Sequence, residues 1–513
     1  MNRYIIIAAF LTFFLTVQTS CKKYLERDPY GVLTTESFYK TPDQLLKGLT
    51  DAYNPLGFFN FEIPLFALGD IVTDDAEKGG SGIQDQAAIY DLSRFRAVAS
   101  NDICLVLWRV CYRGIFSCNI IIDKAPTVET ADPELVKRVA SEAKFLRGLY
   151  YFHLATTFGG VPLILSPLAP GELQLKRSSY DETWDQIEKD FSDAAAGLPL
   201  KSDYNASDLG RATSGAAYSM LAKALLIRQK FTDAEKALQK VVSSDQYKLI
   251  DDFGEVWLKA NENGIESIFD IQHKNTNSGW MNDTEGSWIP LFCGGRKNGG
   301  YGLDCPTQDL RNEFESGDPR LIYTLTFNGD IFGGNDVIDN SESSAGYQSR
   351  KVCLGIDERD NPFYDQGFNI RYLRYADVLL LYAEVLNEND KPAEALLYLN
   401  QVRARARASN PIDPRRIYQA VNITVNLPDV TTLDKNQLRS AIWHERRVEL
   451  GMEYQRRFDL IRQKRFGDVM RAYANTYNTD KGALFKDENS YLCPIPSEEL
   501  GRSNGLIVQN PGY

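Results

Sequence analysis

The chemistry open to this 513-residue chain is bounded by three histidines set against 69 acidic residues. His444 and Glu445 stand side by side, but position 448 is Val, so the spacing that puts two imidazoles on one helix face for zinc is absent. Gly294, Gly295, Gly299 and Gly300 would let a backbone approach a phosphate, yet no Gly-Lys-Ser/Thr follows and no dinucleotide fingerprint leads out of a strand. No Gly-x-Ser-x-Gly elbow is present. Glycoside hydrolysis needs only two carboxylates, and Glu445, Glu449 and Glu453 share a helix face at four-residue steps. Arg446, Arg447, Arg456 and Arg457 lie beside them. Nearby cations keep carboxylates ionised, so the expectation here is a structural ion-pair lattice and not a general acid. The cationic run Arg403, Arg405, Arg407 reads as a solvated helix end.

Binding is better supplied than catalysis. Tyr, Phe and Trp number 27, 26 and 6, about one residue in eight, so either a core or a binding surface uses rings heavily. One stretch, residues 274 to 310, mixes Asn, Gly, Ser and Asp with Trp280, Trp288, Phe292 and Tyr301. Residues 328 to 349 are similarly loop-like. Loops this long inside a packed chain are usually functional. Short strands are expected on either side, at Ile268 to Ile271 and Tyr323 to Phe327.

These loops need a scaffold, and the remaining sequence is dominated by helical spacing. Val136, Val139, Ala140, Ala143, Leu146, Leu149, Tyr150, His153 and Leu154 recur at three- and four-residue steps until Gly159, Gly160 and Pro162 stop the helix. His153 on that apolar face reads as a core histidine. A helix over Ala212 to Arg228 breaks at Gln229 and Lys230 and resumes near Thr232. Shifted by 161 positions, Ala222, Leu225, Ala234, Leu238 and Val241 fall on Ala383, Leu386, Ala395, Leu399 and Val402. Small residues at the crossing of two helices, flanked by larger ones, are what a tetratricopeptide-like hairpin needs. The uneven spacing predicts a mainly α fold of irregular hairpins with long loops and a few short strands.

The net charge of -12 disfavours nucleic acid as a partner. Asn2 and Arg3 precede an apolar stretch from Tyr4 to Leu15, too short to span a bilayer and of signal-peptide length. Cys21 follows directly on Ser20, the arrangement in which a bacterial signal peptidase cuts before a lipidated cysteine. Gln18 stands where Leu is usual, and an ordinary cleaved signal is the alternative. Seven further cysteines make an odd set, against a complete disulfide framework. Cys104, Cys111 and Cys118 read as buried small hydrophobes, and whether Cys293 and Cys305 pair stays open.

Several segments in order resemble the SusD/RagB family of outer-membrane nutrient-binding lipoproteins. They are Cys21-Lys-Lys-Tyr-Leu25, Phe145-Leu-Arg-Gly-Leu-Tyr-Tyr-Phe152 leading to Phe158-Gly-Gly-Val-Pro-Leu163, Arg211-Ala-Thr213, and Arg371-Tyr-Leu-Arg-Tyr-Ala-Asp-Val378. Glu445-Arg-Arg-Val-Glu-Leu450, Arg457-Phe-Asp-Leu460, Pro494-Ile-Pro496 and Gln509-Asn-Pro-Gly-Tyr513 complete the set. Tyr454, where the family often has Gly, and Gly451, in place of a commoner Ala, depart from it.

The resemblance implies a signal peptide over residues 1 to 20 and one SusD-like domain from 21 to 513. That domain would be lipid-anchored through Cys21 on the outer surface of a Gram-negative cell. It implies capture of an oligosaccharide, or less often a peptide, and delivery to a SusC-like TonB-dependent transporter, without cofactor, metal or catalysis. A surface glycosidase and a purely structural helical scaffold are the rival classes. A sugar offers an apolar C–H face and a ring of hydroxyls, so Trp280, Trp288 and Tyr301 are expected as stacking platforms, with Asn282, Asp283 and Arg296 as hydrogen-bonding partners. By the same resemblance the acidic loop at Asp74 and Asp75, with Arg94 and Asn101 beyond, places Asp75 near the ligand, a loop-capping Asp being the alternative.

Overall fold

A computed structural model describes residues 38–172, 174–277, 285–487 and 489–513. Ten helices of at least twelve residues carry the described part: α1 Pro42–Tyr53, α2 Asp102–Lys124, α3 Pro133–Phe158, α4 Tyr180–Gly197, α5 Ser214–Ile227, α6 Phe231–Val242, α7 Tyr375–Glu388, α8 Pro392–Ala408, α9 Lys435–Leu450 and α10 Phe466–Tyr477. Their starts are written locally. Thr41 and Gln44 form a capping box on α1, and Ser179 and Glu182 form one on α4. Asn101, Asp132, Thr213 and Asp434 cap α2, α3, α5 and α9 by accepting first-turn N–H groups. Gly159, at φ +76, ends α3 where a side chain would be strained.

Consecutive helices pack on one another from α2 to α6; α6 then meets α7, and α7 packs on α8 and α9. α2 is long enough to cross a bilayer, but its apolar face is covered by α1 and α3. All ten residues of the 161-position repeat are buried. The repeat reaches into the turns as well. Gln229 and Asp390, at φ +56 and +60, end the first helix of each hairpin in the left-handed region. Lys230 N–H then returns to the Leu225 carbonyl at 2.9 Å, and Lys391 N–H to that of Leu386 at 2.8 Å.

The strands are short: β1 Ala76–Lys78, β2 Ser267–Ile271, β3 Asp304–Pro306, β4 Leu325–Thr326, β5 Ile331–Phe332, β6 Asp336–Val337, β7 Gln348–Ser349, β8 Ile370–Arg374 and β9 Arg416–Tyr418. β1 pairs with β3, β2 with β8, β4 with β7, and β5 lies between β6 and β9. The strand expected over Tyr323 to Phe327 is corrected to β4 alone. Residues 320–324 form one helical turn, which buries Tyr323 against Phe253 and Trp257. β2 and β8 join the two hairpins across the long insertion, and β8 runs directly into α7.

An ion-pair lattice lies inside the core. Glu445 accepts from Arg320 at 2.6 Å and Arg403 at 2.7 Å, while Glu449 accepts from Arg374 at 2.6 Å, Arg320 at 2.9 Å and Arg405. Glu453 takes Lys351 and Arg374, each at 2.6 Å. α9 ends at Leu450, so Glu453 reaches the lattice from the turn that follows and not from the same helix face. Tyr454, at φ +65, explains why glycine suits that position. Arg403 and Arg405 are buried here, which overturns their reading as a solvated helix end; only Arg407 is exposed. His153 is a core histidine, bonded to Tyr372 Oη at 2.8 Å and pushed by burial down to about 3.

Candidate functional site

The β1–β3 ladder brings two loops together. Its pairing continues as Gly79 N–H to Leu303 O at 2.9 Å and Gly80 N–H to Gly302 O at 2.8 Å, laying residues 79–86 beside 294–302. Gly79 is required, because a Cβ there would sit 1.9 Å from the Gly302 carbonyl oxygen. Arg296 projects from the second loop between two carboxylates, with Nε 3.3 Å from Glu342 and Nη1 3.9 Å from Asp85. Lys297 holds the other Glu342 oxygen at 2.6 Å. Asp85 in turn accepts from the Ser81 backbone at 2.8 Å and hydroxyl at 3.1 Å. Tyr301, half-buried on the same loop, leans on Phe292 with ring centres 6.0 Å apart. A guanidinium, two carboxylates and a serine hydroxyl thus meet where the two loops run side by side. Those are groups that can pair with sugar hydroxyls, and Tyr301 supplies a ring on the same loop.

The other expected site residues go elsewhere. Trp280, Asn282 and Asp283 lie outside the described residues. On either side of them, Lys274 N–H reaches Glu285 O at 2.9 Å and Thr276 N–H reaches Asp365 at 3.0 Å. Lys274 and Glu285 line a cleft of about 470 Å³ with Tyr53, Phe58, Arg113 and Gln272, a size typical of small-molecule sites. Arg113 lies over the Phe58 ring at 4.6 Å.

Trp288 is corrected from platform to core, being only 1% exposed. Tyr364 and Phe292 stack on it at 5.1 and 5.6 Å, and Phe59 tilts against it at 5.7 Å, so the protein's own rings take the contacts a sugar would need. Asp75 is likewise corrected. It is buried, 2.8 Å from Arg447 and 3.6 Å from Arg456, and serves an internal ion pair. Arg94 pairs with Glu77 and Asp480, and Asn101 is spent capping α2. Cys104, Cys111, Cys118, Cys293 and Cys305 are buried free thiols. Sequence reasoning missed Asp85 and Glu342; the Gly79-Gly80-Ser81-Gly82 run was the available signal for the first loop.

Comparison with known proteins places this geometry. Residues 265–513 match the model of the SusD family, and residues 23–226 match a second model described as starch-binding associating with outer membrane. SusD-like protein P25 of Formosa agariphila is 26% identical, the alignment covering 96% of this chain and 97% of that protein. Among solved structures, a laminarin binding SusD-like protein superposes with a TM-score of 0.76 at 27% identity, covering 93% of this chain and all of the other. Surface glycan-binding protein A from Bacteroides fluxus gives 0.77 at 25% identity, covering 92% of this chain and all of the other. With the helical hairpins, the order of motifs and two family models matching residues 23–226 and 265–513 in agreement, the chain belongs to the SusD family.

Proposed function

We propose that the chain captures a neutral oligosaccharide at the surface formed by loops 79–86, 294–302 and 339–347, with Arg296 and Tyr301 as direct contacts. Trp280, Asn282 and Asp283 add further contacts. The observation that carries this reading is the partly exposed Arg296 guanidinium held between Asp85 and Glu342, on the loop that also carries the half-buried Tyr301. Kinship with a laminarin binding protein supports β-glucan oligosaccharides as the first ligands to try. The ligand then passes to a SusC-like TonB-dependent transporter, with the binder anchored to the outer membrane through Cys21.

Calorimetric titration with laminarin-derived, starch-derived and peptide ligands tests the site. Arg296→Ala and Tyr301→Ala are each expected to weaken glycan binding about tenfold or more, roughly 1.4 kcal/mol. Trp280→Ala is expected to act in the same direction. Trp288→Phe should cost about 1–3 kcal/mol of stability and leave the affinity unchanged. Full affinity in both Arg296→Ala and Tyr301→Ala would remove the loop surface from consideration. Delivery and anchoring have separate tests: co-purification of a large outer-membrane barrel with the wild-type chain, and loss of membrane retention in Cys21→Ser.

A further inference from the structure

A second cleft, of about 370 Å³, lies between α9, α10 and the short helix Gln308–Glu313. Three arginines line it, and they are not equivalent. Arg447 is spent on Asp74 at 2.9 Å, Asp75 at 2.8 Å, Asp309 at 2.6 Å and Glu313 at 2.9 Å. Arg456 is spent on Asp74 at 2.7 Å. Among the described residues Arg465 donates only its Nε, to Gln463 at 2.7 Å. Its guanidinium lies over the Trp443 ring at 4.8 Å, and among the described residues no carboxylate stands within ion-pair distance of it. Burial and the neighbouring Arg456 lower its pKa to about 10, so it stays charged at neutral pH. Nη1 and Nη2 thus form a preoriented fork, fixed by the indole beneath it, with its hydrogen-bonding capacity unspent.

We propose that this cleft binds the carboxylate of an acidic sugar unit, held end-on by Nη1 and Nη2 of Arg465. A planar group with two oxygens side by side matches two adjacent N–H-bearing nitrogens. The acids already on the cleft wall, Asp74, Asp309 and Glu313, oppose a dianion more strongly than a monoanion. Val469 and Ala472 offer apolar surface for a ring face, and Ser440 and Thr476 offer hydroxyls. The volume suits one or two rings and not an extended chain. The site is separate from the loop surface and does not depend on the function proposed for it.

The full-length chain in detergent is titrated with D-glucuronate, D-glucose and sodium sulfate, and the loop-surface glycan is measured alongside. Glucuronate is expected to bind at least about tenfold more tightly than either glucose or sulfate. Arg465→Gln should abolish that preference. Ala472→Trp, which fills the cleft mouth from an exposed position on α10, should lower glucuronate affinity about tenfold even if Arg465→Gln folds poorly. Arg296→Ala should leave glucuronate binding unchanged. Glucuronate binding no tighter than glucose, or untouched by both cleft variants, would overturn the proposal. Sulfate binding as tight as glucuronate would overturn the carboxylate assignment.

Discussion

Glu449→Gln is expected to destabilise the protein by about 3–5 kcal/mol, because three buried guanidiniums then lose a shared counter-charge. Burial alone would raise the Glu449 carboxyl; Arg405, Arg374 and Arg320 outweigh it and hold the group well below the usual carboxylate range. All four side chains are essentially inaccessible to water. Water cannot take the place of the missing charge, so the cost is set by the stranded cations more than by the strength of any one pair. Glu498→Gln, at an ion pair with Arg109 in which both side chains are about half exposed, should change stability by no more than about 1 kcal/mol. Equilibrium denaturation of the two variants side by side makes the comparison, and equal effects would refute an essential interior lattice.

The second large effect concerns Glu62. Its carboxyl accepts from Ser287 Oγ at 2.7 Å and from the Trp288 backbone at 2.8 Å, yet burial outweighs both and pushes its pKa from 4.5 up to about 8. His273 faces it, Nε2 to Oε1, at 3.3 Å, and is itself driven down to about 4 by burial. With His273 Nδ1 donating to the Glu285 carbonyl at 3.2 Å, Nε2 carries the lone pair and a protonated Glu62 supplies the donor. The folded state therefore keeps a proton that the unfolded chain releases above pH 4.5. At this group the unfolded state binds fewer protons, so the Glu62 contribution to stability falls as pH rises from about 4.5 to 8, by up to about 4–5 kcal/mol. His273, lowered by burial, contributes in the opposite sense at the acid end of that window. Glu62→Gln mimics the protonated acid. It should match the wild type near pH 4.5 and exceed it progressively toward pH 8, as read from melting temperatures across that window. A stability difference that stays constant with pH would show that Glu62 is ionised in the fold.

Local signals were legible in the residues, and long-range ones were not. The spacing from Val136 to Leu154, the stop at Gly159 and the 161-position likeness each involve neighbours within a few turns, and they foretold α3 and both hairpins. Arg403 and Arg405 looked like a charged helix end because their acids stand far along the chain, at Glu445, Glu449 and Glu266. Trp288 looked like a loop aromatic for the same reason. Two of the rings that enclose it, Phe59 and Tyr364, are supplied by distant segments. The resemblance places Asp75 near a ligand, and nothing nearby in sequence announces its actual partner, Arg447. Arg296 and Tyr301 belong to one short loop whose Gly and polar content is visible in the sequence, and both are partly exposed there.

The β2–β8 pairing has an evolutionary consequence. Both ends of the insertion between residues 272 and 369 are clamped in one antiparallel ladder, next to the helix that opens the second hairpin. Whatever lies between them begins and ends at a fixed doorway, yet Arg320 and Lys351 reach from it into the interior lattice and β3 pairs with β1. Drift in length and composition is therefore confined to the loops between those anchors, such as 294–302 and 339–347. A chimera carrying a relative's residues in those loops alone should fold and take on the donor's binding preference.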